Sequence, residues 1–225
     1  MVIEIFSFCV TIFFFIVCRW IYKKAKFDLL TPILITPLLL VALLLVAHIP
    51  YGQYRSGTSI ITYFLQPATV AFAVPLYQNF QLLRKNIMEM VVSILSGVFI
   101  AIVAAYFIGK LMHLNLTLIK SMVPKSITTP IAMDVSNALG GNPTLTAVFV
   151  IITALTGITI GPIVVRMLRI RTPIARGVLF GTSAHSAGTS KAFEFGEVEG
   201  AMSSISMIIA AIVTLFLAPY LVPVL

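Results

Sequence analysis

Charge is what this chain has least of. Seven acidic and fifteen basic side chains make up 10% of its 225 residues, where a soluble domain carries about 25%. That scarcity excludes an ordinary water-soluble globule. Cysteine is scarcer still. Cys9 and Cys18, nine apart in one apolar run, form neither a CxxC pair nor a metal-ligand set and read as packing residues. No Cys/His zinc spacing, dinucleotide fingerprint or phosphate-binding glycine loop occurs, and Gly188-Thr-Ser-Lys191 lacks the spacing of the last. Gly181-Thr-Ser-Ala-His185 is not a Gly-x-Ser-x-Gly elbow, and no acid is placed to complete a triad. Nothing here supports an enzyme, and neither a cofactor nor a metal is expected. Strand-like alternation is also missing, which excludes a β-barrel.

What the chain has is apolar length. It is 60% hydrophobic, with a mean hydropathy of +1.08. Its apolar runs reach the roughly 20 residues that a bilayer-crossing helix needs. The expected fold is an all-α polytopic membrane protein of about six full spans plus two polar re-entrant or broken-helix segments. The spans are 2–21, 29–47, 57–77, 87–108, 144–164 and 201–217. The link His48–Ser56 reads as a turn, and Gln66, Pro67 and Pro75 suggest that the third span is kinked or interrupted. Glu4 without a basic run before it, and Arg19 after the apolar stretch, suit a retained first helix rather than a cleaved signal peptide. The whole is read as one membrane domain over 1–225, with N-terminal spans to 110 and repeat units over 111–165 and 166–225.

The net charge of +8 comes in short clusters between the spans, which reads as topology signal and not as a nucleic-acid surface. Placing the three densest clusters (Arg19 to Lys26, Arg84/Lys85, Arg166 to Arg176) in the cytoplasm leaves one net crossing between the fourth span and the last cluster. The 144–164 span uses it. The polar segment before that span then dips in and returns, or stays outside, and the same holds for the segment before the last span. In this scheme Lys110, Lys120 and Lys125 fall outside. Eight full crossings result instead if each polar segment and its lead-in cross.

The two polar segments match. With Ser126 laid on Ser183, an offset of 57, they run in step to Pro162 and Pro219, with Ile151/Ile208, Ile152/Ile209 and Ala154/Ala211 also identical. Each has a Pro- or Gly-containing start, a Ser/Thr/His cluster, one charged residue (Asp134 or Lys191), a Gly-containing turn and an apolar span. One unit enters from outside and the other from the cytoplasm, which makes an inverted-topology repeat. In such repeats the ligand site lies near the midplane, where half-helix N-termini favour an anion.

The candidate substrate-binding residues are Thr128, Thr129, Asp134, Asn137, Ser183, His185, Ser186, Thr189 and Lys191. Each has a plainer role open to it. His185 is either a packing histidine or a substrate or proton contact. Lys191 either neutralises a carboxylate or pairs with Asp134 or Glu194. Asp134 and Asn137 share a helix face and suit a cation, a proton or a structural hydrogen bond. Thr128, Thr129 and Thr189 also suit close helix packing, and Glu197 and Glu199 a membrane surface.

The blocks Pro67–Asn79, Pro124–Gly141 and Arg169–Met207 resemble the LrgB/CidB family of bacterial membrane proteins. The resemblance implies a cytoplasmic-membrane protein, often encoded beside a small LrgA/CidA-type partner. It implies either holin/antiholin-like control of murein hydrolase activity and cell lysis, or, as in relatives that look like transporters, movement of small carboxylates such as pyruvate or glycolate. Matched polar segments favour the second. The expected function is therefore secondary transport of a small monocarboxylate, in a homo-oligomer, with a dimer as the simplest case.

Overall fold

The computed structural model describes residues 2–25, 31–64, 67, 70, 73–78 and 80–225. Among them the chain is helical throughout, without a strand. It divides into two compact units, Met1–Phe72 and Ala73–Leu225.

In the first unit, α1 (Val2–Ala25) packs on α2 (Pro32–Val46) and α3 (Tyr51–Tyr63). Gly57 lets α3 lie against the backbone of α1 at Glu4, where a Cβ would collide with the Glu4 carbonyl. Thr11 Oγ1 and Tyr54 Oη meet at 2.9 Å. The link expected over His48–Ser56 is largely helix: Pro50 stands at the N-cap, where it lacks no needed N–H, and α3 starts at Tyr51 rather than Gly57. The interruption expected at Gln66-Pro67-Ala68-Thr69 lies largely outside the described residues.

The second unit carries α4 (Ala73–Gln78), α5 (Phe80–Leu111), α6 (Leu116–Met122), α7 (Thr129–Leu139), α8 (Pro143–Met167), α9 (Pro173–Phe195) and α10 (Glu197–Leu221). Four helices among the described residues are long and apolar enough to cross a membrane: Glu4–Lys24, Arg84–Leu111, Pro143–Met167 and Glu197–Leu221. Six were expected. The second expected span is a shorter apolar helix, α2, of 15 residues with Pro37 inside.

Both polar segments double back. In a continuous helix Phe180 and Phe195 would stand about 22 Å apart. Their ring centroids are 5.4 Å apart, because α9 breaks at Ala184 and His185. Its limbs 173–183 and 186–195 form a hairpin. Gly188 sits where they touch, and a Cβ there would strike the Phe180 carbonyl and Ala184 Cβ. The first segment does the same with α6 and α7 as its limbs. The Asn142 N–H, beyond the end of α7, donates to Ser121 Oγ of α6 at 2.7 Å. Gly140, at φ 79, ends α7 with its N–H on Asn137 O and the Gly141 N–H on Ser136 O, the left-handed stop that glycine takes without penalty. The offset of 57 carries through: α6 and α9 begin at partner positions 116 and 173, and the returning limbs at 129 and 186.

The hairpins open at different ends of the long helices. The 170–175 link before α9 lines a cleft with Asn86, Glu89 and Ser93, at the start of α5. The Arg84/Lys85 and Arg166–Arg176 clusters therefore share one end. The α6–α7 hairpin starts at the other end of α5, where Ile119 packs on Gly109.

α10 is the centre of the unit. Glu199 to Met207 are all buried, so the helix has no outer face over that stretch. Its hydroxyls find partners: Ser204, Ser206 and Thr214 donate to the carbonyls of Gly200, Met202 and Ala210. Lipid supplies no hydrophobic drive between helices, so close packing of small residues has to hold them. Gly177 and Gly181 press on α10 at Glu199, Met202 and Ser203. A Gly188→Ala change should lower stability by about 2 kcal/mol, the cost of overpacking against backbone. Gly97→Ala, on α5 with nothing within 4 Å, should raise it by about 0.5–1 kcal/mol. Thermal unfolding in detergent checks both signs.

Candidate functional site

The two hairpin tips meet halfway along the long helices. Val123, Pro124, Ser126 and Ile127 of the first tip and Thr182 of the second adjoin Val98 and Ile102, near the middle of α5. On α8, Gly157 receives Ala184 and Gly161 receives Phe180 with no room for a Cβ. Beside the tips a cleft of about 540 Å³ runs along α8 from Phe149 to Val164, towards the Arg166 end. Its walls are mostly apolar. The polar groups on it are Lys125 from the first tip, Ser183 from the second, and Thr153 and Thr156 from α8.

Of the sequence-derived candidates, Ser183 lines this cleft, with its hydroxyl donating to Leu179 O at 2.6 Å. His185 lies behind it, buried, with Nε2 3.3 Å from Val150 O on α8 and Nδ1 3.2 Å from Ser186 Oγ. Its backbone is at φ 42, ψ −128, a region natural to glycine that costs another residue about 1–3 kcal/mol. The ring contacts hold that conformation and so hold the break. Thr128, the offset partner of His185, is the N-cap of α7 and makes no side-chain cap bond; Thr129 follows as the first helical residue. The N-terminal N–H groups of α7 and of limb 186–195 thus both sit at the tips.

The remaining candidates stand elsewhere. Thr189 is buried against Ser203 of α10 at 2.9 Å, which is the packing role left open for it. Lys191 pairs with Glu194 at 2.9 Å, one turn on. Asp134 and Asn137 lie on an exposed face of α7. None of these four is part of the cleft wall. Glu199 departs from the membrane-surface reading: it is buried and 3.5 Å from Arg176. Arg176 also donates to Ile170 O and stacks by Phe195, so it ties the open end of the α9 hairpin to the start of α10. Among the described residues no three His, Cys, Asp or Glu side chains gather as metal ligands do.

Sequence reasoning missed Lys125, counting it as an outer-face charge, and missed Thr153 and Thr156 inside an apolar run. The signal for the threonines was Thr153-x-x-Thr156-Gly157-x-x-x-Gly161, a small-residue stripe of helical period.

The break at His185 gives a direct test. His185→Ala keeps the backbone strain and loses the ring contacts, whereas His185→Gly loses the contacts and the strain together. The glycine variant should be about 1–2 kcal/mol more stable than the alanine variant, as read by thermal unfolding in detergent.

The LrgB-like family model matches residues 11–224. The YwbG protein of Bacillus subtilis (strain 168) is 50% identical over 221 residues, covering 98% of both chains. The antiholin-like protein LrgB of the same organism is 34% identical over 218 residues, covering 96% of this chain and 94% of that protein. The antiholin-like protein LrgB of Bacillus mycoides (strain KBAB4) is 32% identical over 204 residues, covering 90% and 89%. No solved structure matches. With four helices long and apolar enough to cross a membrane among the described residues and a family match over residues 11–224, the chain is a membrane protein that belongs to the LrgB-like family.

Proposed function

We propose that the protein is a secondary transporter of a small monocarboxylate across the bacterial cytoplasmic membrane, with its ligand site where the two hairpin tips meet. The observation that carries this reading is the cleft with Lys125 from one tip and Ser183 from the other. The α6–α7–α8 and α9–α10 stretches are taken as an inverted-topology repeat, supported by their shared element order and their hairpins opening at different ends. Broken helices that meet at mid-membrane are where carriers of this kind hold their substrate.

The chemistry favours one negative charge. Two half-helix N-termini offer positive dipole ends and N–H donors. Among the described residues Lys125 has no carboxylate within ion-pair distance. An unpaired ammonium in low dielectric is costly, and an anion offsets that cost. The rest of the wall suits a short apolar body. A C2–C4 acid such as pyruvate or glycolate fits both features.

A second reading rests on the two relatives named antiholin-like protein LrgB. In it the protein modulates murein hydrolase activity and lysis together with a small LrgA-type membrane protein. Its signature is partner-dependent permeability without solute selectivity.

Purified protein in liposomes should take up labelled pyruvate or glycolate. Lys125→Ala should cut uptake by about 10–100-fold, the loss of one charge-assisted contact. Lys191→Ala, which removes a side chain that pairs with Glu194 and is not part of the cleft wall, should stay within about twofold of the parent. No uptake across a C2–C4 panel would sink the carrier reading. Uptake unaffected by Lys125→Ala would sink the site.

A further inference from the structure

The match at an offset of 57 extends to the cavities. The cleft along α8 is walled in part by Lys125, Gly157 and Ser183. Their offset partners are Thr182, Thr214 and Ser126. Those three residues line a second cavity, lying against Val98 and Ile102 of α5. The two cavities therefore occupy partner positions in the two units. One measures about 540 Å³ and the other about 10 Å³, room for roughly a single water.

A packing defect has no reason to be walled by the offset partners of another cavity. Two settings of one site do. Thr182 Oγ1 donates to Val178 O and Thr214 Oγ1 to Ala210 O, each at 2.7 Å. Such bonds to the preceding turn satisfy a hydroxyl in a dry interior, and a ligand oxygen can accept from the same hydroxyl in their place. Lys125 lines the cleft and not the small cavity, so the hydroxyls of Ser126, Thr182 and Thr214 are the donors of the second setting.

We propose that the small cavity is the second form of the ligand site, exposed to the opposite membrane face, in which Ser126, Thr182 and Thr214 take the anion while the Lys125–Ser183 cleft is closed. The inference rests on the transport reading. Two units with one element plan can exchange their open and collapsed conformations at small cost, because each setting of the whole repeats the other with the roles reversed.

Single cysteines at Ser183 and at Ser126, in a Cys9→Ser, Cys18→Ser background, test this with a membrane-impermeant thiol reagent in oriented proteoliposomes. Ser183→Cys should react from the Arg166 face and Ser126→Cys from the other. Adding Thr153→Trp, which fills the cleft, should slow the first and speed the second by about fivefold or more, a population shift towards the second form. Thr156→Trp, at an exposed position, serves if Thr153→Trp does not fold. Both cysteines reacting from one face, or Ser126→Cys staying unreactive with the cleft filled, overturns the proposal. Labelling needs no substrate, so the two readings fail separately. Uptake without reciprocal labelling leaves the carrier standing and removes the second form. Reciprocal labelling without uptake of any acid keeps the two forms and removes the carboxylate.

Discussion

A helix broken inside a membrane frees backbone N–H and C=O groups that hydrocarbon cannot satisfy, and each one left bare costs several kcal/mol. The second unit contains two such breaks, at 123–128 and at Ala184–His185, and its other features follow from sheltering them. Each hairpin folds back so that its limbs cover each other. Each tip is set against the other and against the middles of α5 and α8. Such close approach leaves no room for a Cβ, which accounts for Gly188 between the limbs of one hairpin, for Gly177 and Gly181 where that hairpin meets α10, and for Gly157 and Gly161 where α8 receives Ala184 and Phe180. Polar side chains are then admitted only where they complete a bond. His185 reaches Val150 O, Thr189 reaches Ser203, and Thr146 reaches Ser136.

The same constraint decided what could be read from the sequence. The two polar segments were legible because hydrocarbon does not accept Ser, Thr, His and Lys in such density; where each one breaks was not, although the structure puts the offset partners Thr128 and His185 in the same place, just before the returning limbs. The cleft wall was not legible. Thr153 and Thr156 belong to an otherwise apolar helix, where a threonine bonding to its own turn raises little objection. Lys125 was grouped with Lys110 and Lys120 because charge counting treats a lysine as a boundary marker, and only the fold of α6 onto α7 turns it inward. In the first unit, Pro50 and Gly52 signalled a turn, but proline is equally at home before a first helical turn. Only tertiary placement separates the two.

Subtracting ion pairs narrows the site further. Arg176 is committed to Glu199 and Lys191 to Glu194. Asp134 faces outward, as do Arg166, Arg169 and Arg171. What is left facing the cleft is Lys125, carried on a short tip between α6 and α7. A site with one cation and apolar walls discriminates by charge count before it discriminates by shape. A second carboxylate on the ligand would have to leave water with no partner, a far larger cost than one more methylene confers in benefit.

The antiholin-like names of the relatives and a carrier geometry ask different things of the chain. A lytic or antilytic assembly acts through lateral surfaces, and for that a plain bundle of lipid-facing helices is enough. Two breaks, with the buried contacts needed to sheathe them, are destabilising features that a structural scaffold has no use for. Strain such as that at His185 persists only where the surroundings hold it in place, and here α8 does so through a single carbonyl. The tips are therefore the part of the molecule whose form is least explained by stability and best explained by a ligand. On the proposed carrier reading, an effect on lysis follows from altered carboxylate traffic, with no need for the same residues to form a pore.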